Sequence, residues 1–255
     1  QAACMLYVKH HSFCEYVFDW AWARAYQEHG LDYYPKAVVA VPFTPVPGSR
    51  LLARSAAARA ELVRATIRWC RDQRLSSLHI LFADDADVAA CREAGMMPRH
   101  AVQFHWRNQT PGYGSFEEFL GTLAQDKRKK IRQERRKVRD AGVTFRWSRA
   151  GDITSDDWDF FYRCYTRTYE EHGNQPYLNR AFFERVARGM PEHWLLFVAE
   201  RHGRPIAASL VAIGSPDERV GDAPIRRQIA YGRYWGCLER VDCLHFEACY
   251  YQPLQ

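Results

Sequence analysis

The chain has 255 residues, 47% of them hydrophobic and 14% aromatic, which is enough to bury one large domain or two ordinary ones and too apolar for an intrinsically disordered chain. Its formal charge of +6, from 36 basic against 30 acidic residues, is too small an excess to define a partner, so the placement of the charge carries the information. No 18-residue apolar stretch and no signal-peptide layout occurs, which predicts a cytoplasmic protein without a membrane span.

Both ends read as cut from a longer chain. Gln1, not Met, opens directly on the apolar stretch Ala2 to Val8, and Gln255 closes just after an aromatic run, whereas termini usually lie in polar segments. In chain order, Asp19 reads as the cap of a short helix carrying Trp22, Tyr26 and His29 and ending at Gly30. Ala37 to Phe43 is a short strand pattern, followed by the Pro45, Pro47, Gly48 loop. Ser55 opens a helix with Leu62, Thr66, Ile67, Trp69 and Cys70 at helical spacing. Ser77 to Phe82 reads as a strand and Asp85 to Ala94 as a helix stopped by Gly95. His100 to Arg107 alternates, with Val102, Phe104 and Trp106 on one face and Gln103, His105 and Arg107 on the other, and predicts a strand.

Ser115, with Glu118 at the capping-box position, opens what reads as one long helix ended by Gly142. Val143, Phe145 and Trp147 then alternate as a strand. Ser155 to Asp157 start a helix, Asn179 caps another, and Trp194 to Glu200 with Pro205 to Ile213 form a hairpin around His202 and Gly203. Ser215 to Arg227 reads as a polar loop, Gln228 to Trp235 as a strand, and Leu244 to Gln252 as a final helix. Strands alternating with helices argue for an α/β fold. The pattern divides into an α/β unit over 1–114, a basic linking helix over 115–141 and a second α/β unit over 142–255.

The strongest local signal is the run from Lys127 to Arg139, in which nine of thirteen residues are basic. At helical spacing Arg128, Arg132, Arg135 and Arg139 align, with Lys129 and Arg136 beside them. Such a face suits the phosphates of coenzyme A, a nucleotide-linked precursor or a tRNA, and it equally suits a solvated helix surface. A DNA-binding basic zipper is excluded, because no leucine heptads follow and Gly142 breaks the helix.

The second signal is Tyr231-Gly-Arg233-Tyr234-Trp235-Gly236. A strand ending in glycine can present backbone N–H groups to a phosphate, and Arg233-x-x-Gly236 matches half of the R-x-x-G-x-G/A pyrophosphate loop, with Leu238 where a second small residue belongs. An aromatic core strand fits the same residues. The third is His245 with Glu247. An amine must be neutral to attack an acyl group, so either residue can serve as its proton acceptor, or the two form a structural pair. Two residues apart, they do not share a helix face. Asp19, Trp20 and His105 are further candidates to line a cleft. His10 and His11 lack a carboxylate or cysteine at ligand spacing and H-E-x-x-H is absent, so no metal is expected. The eight cysteines contain no C-x-x-C pair and fit a reducing compartment. P-loop, nucleophile-elbow and complete dinucleotide-loop motifs are absent as well.

Taken together, Glu15-Tyr-Val-Phe-Asp-Trp-Ala-Trp22, Tyr34-Pro-Lys36 with Val41-Pro-Phe-Thr-Pro45, Ser77-Leu-His79, Val102-Gln-Phe-His-Trp106, the basic helix, Trp158-Asp-Phe-Phe-Tyr162, Pro176-Tyr-Leu178, Tyr231 to Gly236 and Leu244 to Gln252 resemble the FemAB-like peptidoglycan biosynthesis/recognition family, in one order along nearly the whole chain. The resemblance implies a bacterial protein with two tandem acetyltransferase-type (GNAT) α/β domains, mixed sheets flanked by helices. It implies an N-acyl or aminoacyl transferase acting on cell-wall precursors, with acyl-CoA or aminoacyl-tRNA as donor and no covalently bound cofactor. A module that binds a precursor or RNA without catalysis is the rival expectation. Family members carry further sequence at both ends, in keeping with the abrupt termini. Oligomeric state is not legible.

Overall fold

The computed structural model describes residues 1–13, 15, 19–214 and 228–255, with the backbone of 219, 220, 223 and 224. The chain is a mixed α/β protein of several sheets flanked by helices, and it divides into two compact units, Gln1–Trp106 and Arg107–Gln255.

In the first unit, strands β1 (Ala2–Cys4), β2 (Leu6–Lys9), β3 (Lys36–Val39), β4 (Leu51–Ala53) and β5 (Leu78–Ile80) are interleaved with helices α1 (Trp20–Glu28), α2 (Ala56–Asp72) and α3 (Asp85–Glu93). The main sheet has the order β2-β3-β5, antiparallel then parallel, and β1 pairs with β4 separately. β3 is buried along its whole length, which is why it reads as a continuous apolar run after Lys36. Val39, Leu51, Val63 and Ala90 form the core beneath α2 and α3. Ser55 caps α2 by accepting the Ala58 N–H, as its position in the sequence leads one to expect.

Three expectations are corrected here. Asp19 precedes α1 but makes no side-chain cap bond, because its carboxylate is committed elsewhere in the fold. Residues 100–107 form no strand among the described residues. Gln103 Nε2 instead donates to the Pro45 carbonyl at 2.6 Å, and Phe104 stands 99% exposed. Alternation specifies a strand only where a neighbouring edge supplies hydrogen bonds. The predicted long helix is broken into two in the second unit, α4 (Phe116–Gly121) and α5 (Gln125–Asp140). Gly121 and Thr122 favour the break, the Thr122 hydroxyl donates to the Phe119 carbonyl, and Arg128 of α5 donates to the freed Leu123 carbonyl at 2.5 Å.

The second unit continues with β6 (Val143–Arg149), α6 (Ser155–Glu171), α7 (Arg180–Gly189), β7 (Trp194–Arg201), β8 (Arg204–Gly214), the short pair β9 (Arg219–Val220) and β10 (Ala223–Pro224), β11 (Ile229–Cys237) and α8 (Leu244–Phe246), which runs on into a π-helical turn over Glu247–Tyr251. β6, β7, β8 and β11 form one antiparallel sheet in the order β11-β8-β7-β6. The β7–β8 hairpin turns on His202 and Gly203, both at positive φ, as a two-residue turn between right-twisted strands requires. α6 and α7 cover one sheet face with an aromatic core of Trp158, Phe161, Tyr165 and Phe183, joined by Tyr234. Val138 of α5 and Leu244 of α8 pack with Val143, Ala199 and Ala207. The remainder of the predicted 215–227 loop lies outside the described residues.

Candidate functional site

Two polar clusters stand out, one in each unit. In the first, Lys36 heads β3 with no surface in contact with solvent. Its ammonium has three donors, and three acceptors take them: Ser12 Oγ at 2.8 Å, Glu15 Oε2 at 2.8 Å and Asp19 Oδ2 at 2.5 Å. The rings of Tyr33 and Tyr34 lie 5.1 and 5.7 Å from it. Lys9 adds a second cation, 3.4 Å from Glu15 Oε1, so two cations face two carboxylates.

From Asp19 the chain of hydrogen bonds continues. Tyr33 donates to Asp19 Oδ2 at 2.7 Å, the Tyr33 hydroxyl lies 3.4 Å from His79 Nε2, and Ser77 Oγ lies 2.8 Å from the same nitrogen. Burial alone would raise the Asp19 pKa, yet hydrogen bonds from Lys36, Tyr33 and Ser12 outweigh it and hold the carboxylate below its usual range. Burial, helped by the Lys36 charge, pushes His79 down to about 4, so its imidazole is neutral at neutral pH. Burial and the Asp19 carboxylate raise Tyr33, which stays a phenol. Perturbed groups gathered this way make the cluster a candidate functional site, and the half-buried His79 and Ser77 carry it toward the surface.

The candidates read from the sequence fall differently. Asp19 is the centre of this cluster, whereas Trp20 is exposed, its ring 5.4 Å from Phe13. His105 is exposed in the strandless 100–107 segment. Lys36 was legible only as part of a family block. The available signal was a lone charge heading an apolar strand, preceded by Glu15 and Asp19 four residues apart.

In the second unit the basic helix sorts into two faces. Arg128 binds the end of α4, Arg132 pairs with Glu117 at 2.6 Å, and Arg135 Nε reaches both oxygens of buried Glu247 at 3.2 Å while its guanidinium lies 4.6 Å from the Phe116 ring centre. Lys129 and Arg136, about a quarter turn round the helix from that stripe, lie exposed, with no ion pair among the described residues. Within the aligned stripe Arg128 and Arg135 are therefore held by the fold, whereas Arg132 and Arg139 are exposed to solvent, as Lys129 and Arg136 are.

Glu247 also accepts from Gln252 Nε2 at 2.7 Å, so both its oxygens are engaged. His245 sits apart from it among rings, 5.4 Å from Trp235 and 5.9 Å from Tyr250, and partial burial lowers its pKa. Tyr231, Arg233, Tyr234 and Trp235 lie on β11, with a bulge at Arg233. The proposed phosphate loop is not formed at Gly236. A Cβ there would overlap the Cys164 carbonyl of α6, the Thr168 hydroxyl donates to the Trp235 carbonyl at 2.9 Å, and the N–H of Leu238 donates to the Ile206 carbonyl at 2.7 Å. Gly236 is needed for the close approach of a helix, and the Leu238 N–H two residues on is already used.

A family model described as FemAB-like, peptidoglycan biosynthesis/recognition, matches residues 1–255. The chain belongs to the FemAB-like family. Membership ties this FemAB-like chain to peptidoglycan-related aminoacyl transfer. No curated protein matches it. No helix among the described residues is long and apolar enough to cross a membrane. Among the same residues no group of His, Cys, Asp or Glu is arranged to hold a metal ion.

Proposed function

We propose that the chain is an aminoacyl or acyl transferase directed at peptidoglycan precursors, built from tandem acetyltransferase-type units. Family membership over all 255 residues carries the reading. The antiparallel sheet β11-β8-β7-β6, backed by α6 and α7, is the scaffold of the second unit. The outward cations Lys129 and Arg136 hold the phosphates of the donor, aminoacyl-tRNA or acyl-CoA, through charge-assisted contacts. His245, kept neutral by partial burial, is the better placed of the two proton acceptors, because Glu247 is held by Arg135 and Gln252.

The test is transfer of radiolabelled amino acid from aminoacyl-tRNA, or of acetyl from acetyl-CoA, to peptidoglycan precursors, followed by mass spectrometry. Turnover with either donor that falls in His245→Ala supports the reading, and no turnover with either sinks it. A second reading, a binding module without catalysis, is favoured by the engaged Glu247 and the spent Leu238 N–H. It expects precursor binding that His245→Ala leaves unchanged, with no product.

A further inference from the structure

Residues 100–106 carry the alternation of a strand without pairing as one, and their apolar row stands open. Val102 is 82% exposed, Phe104 99% and Trp106 48%, while Gln103 and His105 alternate with them. An apolar row left in water forgoes the burial that a half-covered strand gains.

A partner for the row lies in the same unit. β5 is an outer strand of the sheet β2-β3-β5. The Ser77 carbonyl accepts from the Ala37 N–H at 2.8 Å, and the Leu81 N–H donates to the Val39 carbonyl at 3.0 Å, so the odd-numbered residues of this stretch bond to β3. By alternation Leu78 and Ile80 turn their backbone groups to the other edge, where no strand lies among the described residues. Their side chains are half-buried at the rim of the core beneath α2 and α3.

The segment already follows that edge. Residues 94–99 connect it to α3, an ordinary length for a link from helix to strand. Arg99 at its root lies over Trp22, its guanidinium carbon 5.6 Å from the ring centre, and its charge is felt at His79 of β5. Further on, Gln103 holds the Pro45 carbonyl at 2.6 Å, and the loop after Pro45 bridges from Gly48 to Ala83, just past β5. Root and tether therefore run in the direction of β5, as a strand returning from α3 does in a right-handed crossover.

We propose that residues 100–106 are a strap that closes onto β5 as a fourth, parallel strand, and that the structure shows it open, tethered through Gln103. Closed, Val102, Phe104 and Trp106 cover Leu78 and Ile80 on the core side. Gln103 and His105 then fall on the opposite face, which carries Ser77 and His79. Neighbouring strands lie about 4.8 Å apart, so closure sets a second histidine against His79 and screens the Asp19–Tyr33–His79 chain from solvent. Strap position regulates access to that cluster.

The test is disulfide trapping in the full chain. Phe104→Cys is combined with Leu78→Cys or with Ile80→Cys, mild oxidation is applied, and peptide mapping reads the link. Phe104→Cys should link to one of the two within a single chain, and His105→Cys, which closes onto the other face, should link to neither. No link from Phe104→Cys, or equal linking from His105→Cys, overturns the strap. A link found only between two chains also overturns it and assigns the apolar row to a second copy. If the cysteines at 78 and 80 unfold the unit in thermal melts, amide exchange decides. Exchange at Leu78 and Ile80 should quicken roughly two-fold or more in Phe104→Asp, while β3 and α2 keep their protection. An unchanged rate overturns the strap.

Discussion

Lys36 Nζ stands 2.5 Å from Asp19 Oδ2, and neither residue touches solvent. A buried ion pair returns little net stability compared with an apolar replacement of both partners, but removing one partner strands the other. Lys36→Met is therefore expected to cost about 3–5 kcal/mol, because Glu15 and Asp19 lose their shared cation. Urea denaturation measures it. A loss below about 1 kcal/mol contradicts the buried network.

Asp19 gives the acid side of the same cluster. Its folded pKa lies below that of the unfolded chain, so its contribution is complete above about pH 4 and is lost as pH falls through the folded value. The melting-temperature gap between the native chain and Asp19→Asn should shrink on acidification below that pH.

His79 acts over a higher window. Between its unfolded pKa of about 6.5 and its folded value of about 4, the unfolded chain binds a proton that the folded site refuses. Stability falls as pH drops through this range, by up to roughly 3 kcal/mol at its lower end. His79→Gln should remove that slope while leaving stability near pH 8 little changed. An NMR titration of the ring that shows an ordinary histidine pKa contradicts the half-buried, neutral imidazole.

Gly236→Ala tests the close contact of β11 with α6. Its new methyl group meets the Cys164 carbonyl, a backbone atom that cannot swing aside, and the Thr168 hydroxyl. Destabilisation of at least about 3 kcal/mol is expected, with loss of the soluble fold as the extreme. Normal stability by denaturant titration contradicts this packing.

The two faces of α5 should separate experimentally. Arg135→Ala strands the buried Glu247 carboxylate and is expected to lower stability by about 3 kcal/mol. Lys129→Gln with Arg136→Gln should leave the melting temperature within a degree or two, yet weaken binding to a polyanion and flatten its log-log salt dependence by about 1.4, at roughly 0.7 for each single-stranded phosphate contact. If both substitutions act through stability alone, the outward face holds no phosphate.

Much of the secondary structure was legible in the sequence because it rests on local rules. Ser55, Asn179 and the residues opening α6 mark helix starts, and His202-Gly203 marks a hairpin, through bonds made within a few residues. The ordered blocks from Glu15 to Gln252 likewise identified the family without any fold. The sites were less legible. The Lys127 to Arg139 run reads as one cationic stripe by periodicity, but which cations are spent depends on Glu117, Leu123 and Glu247, up to 112 residues away.

By itself, then, the sequence determined the α/β class, most element boundaries and the FemAB-like family, since each depends on near neighbours or on ordered blocks. Tertiary structure alone decided that Asp19 serves Lys36 instead of capping α1, that Gly236 makes room for a helix instead of a phosphate, and that 100–107 does not pair as a strand. The physical reason is common to all three. A hydrogen-bonding group or a gap is satisfied by whichever partner the fold brings within about 3 Å, and periodicity along the chain carries no record of that partner.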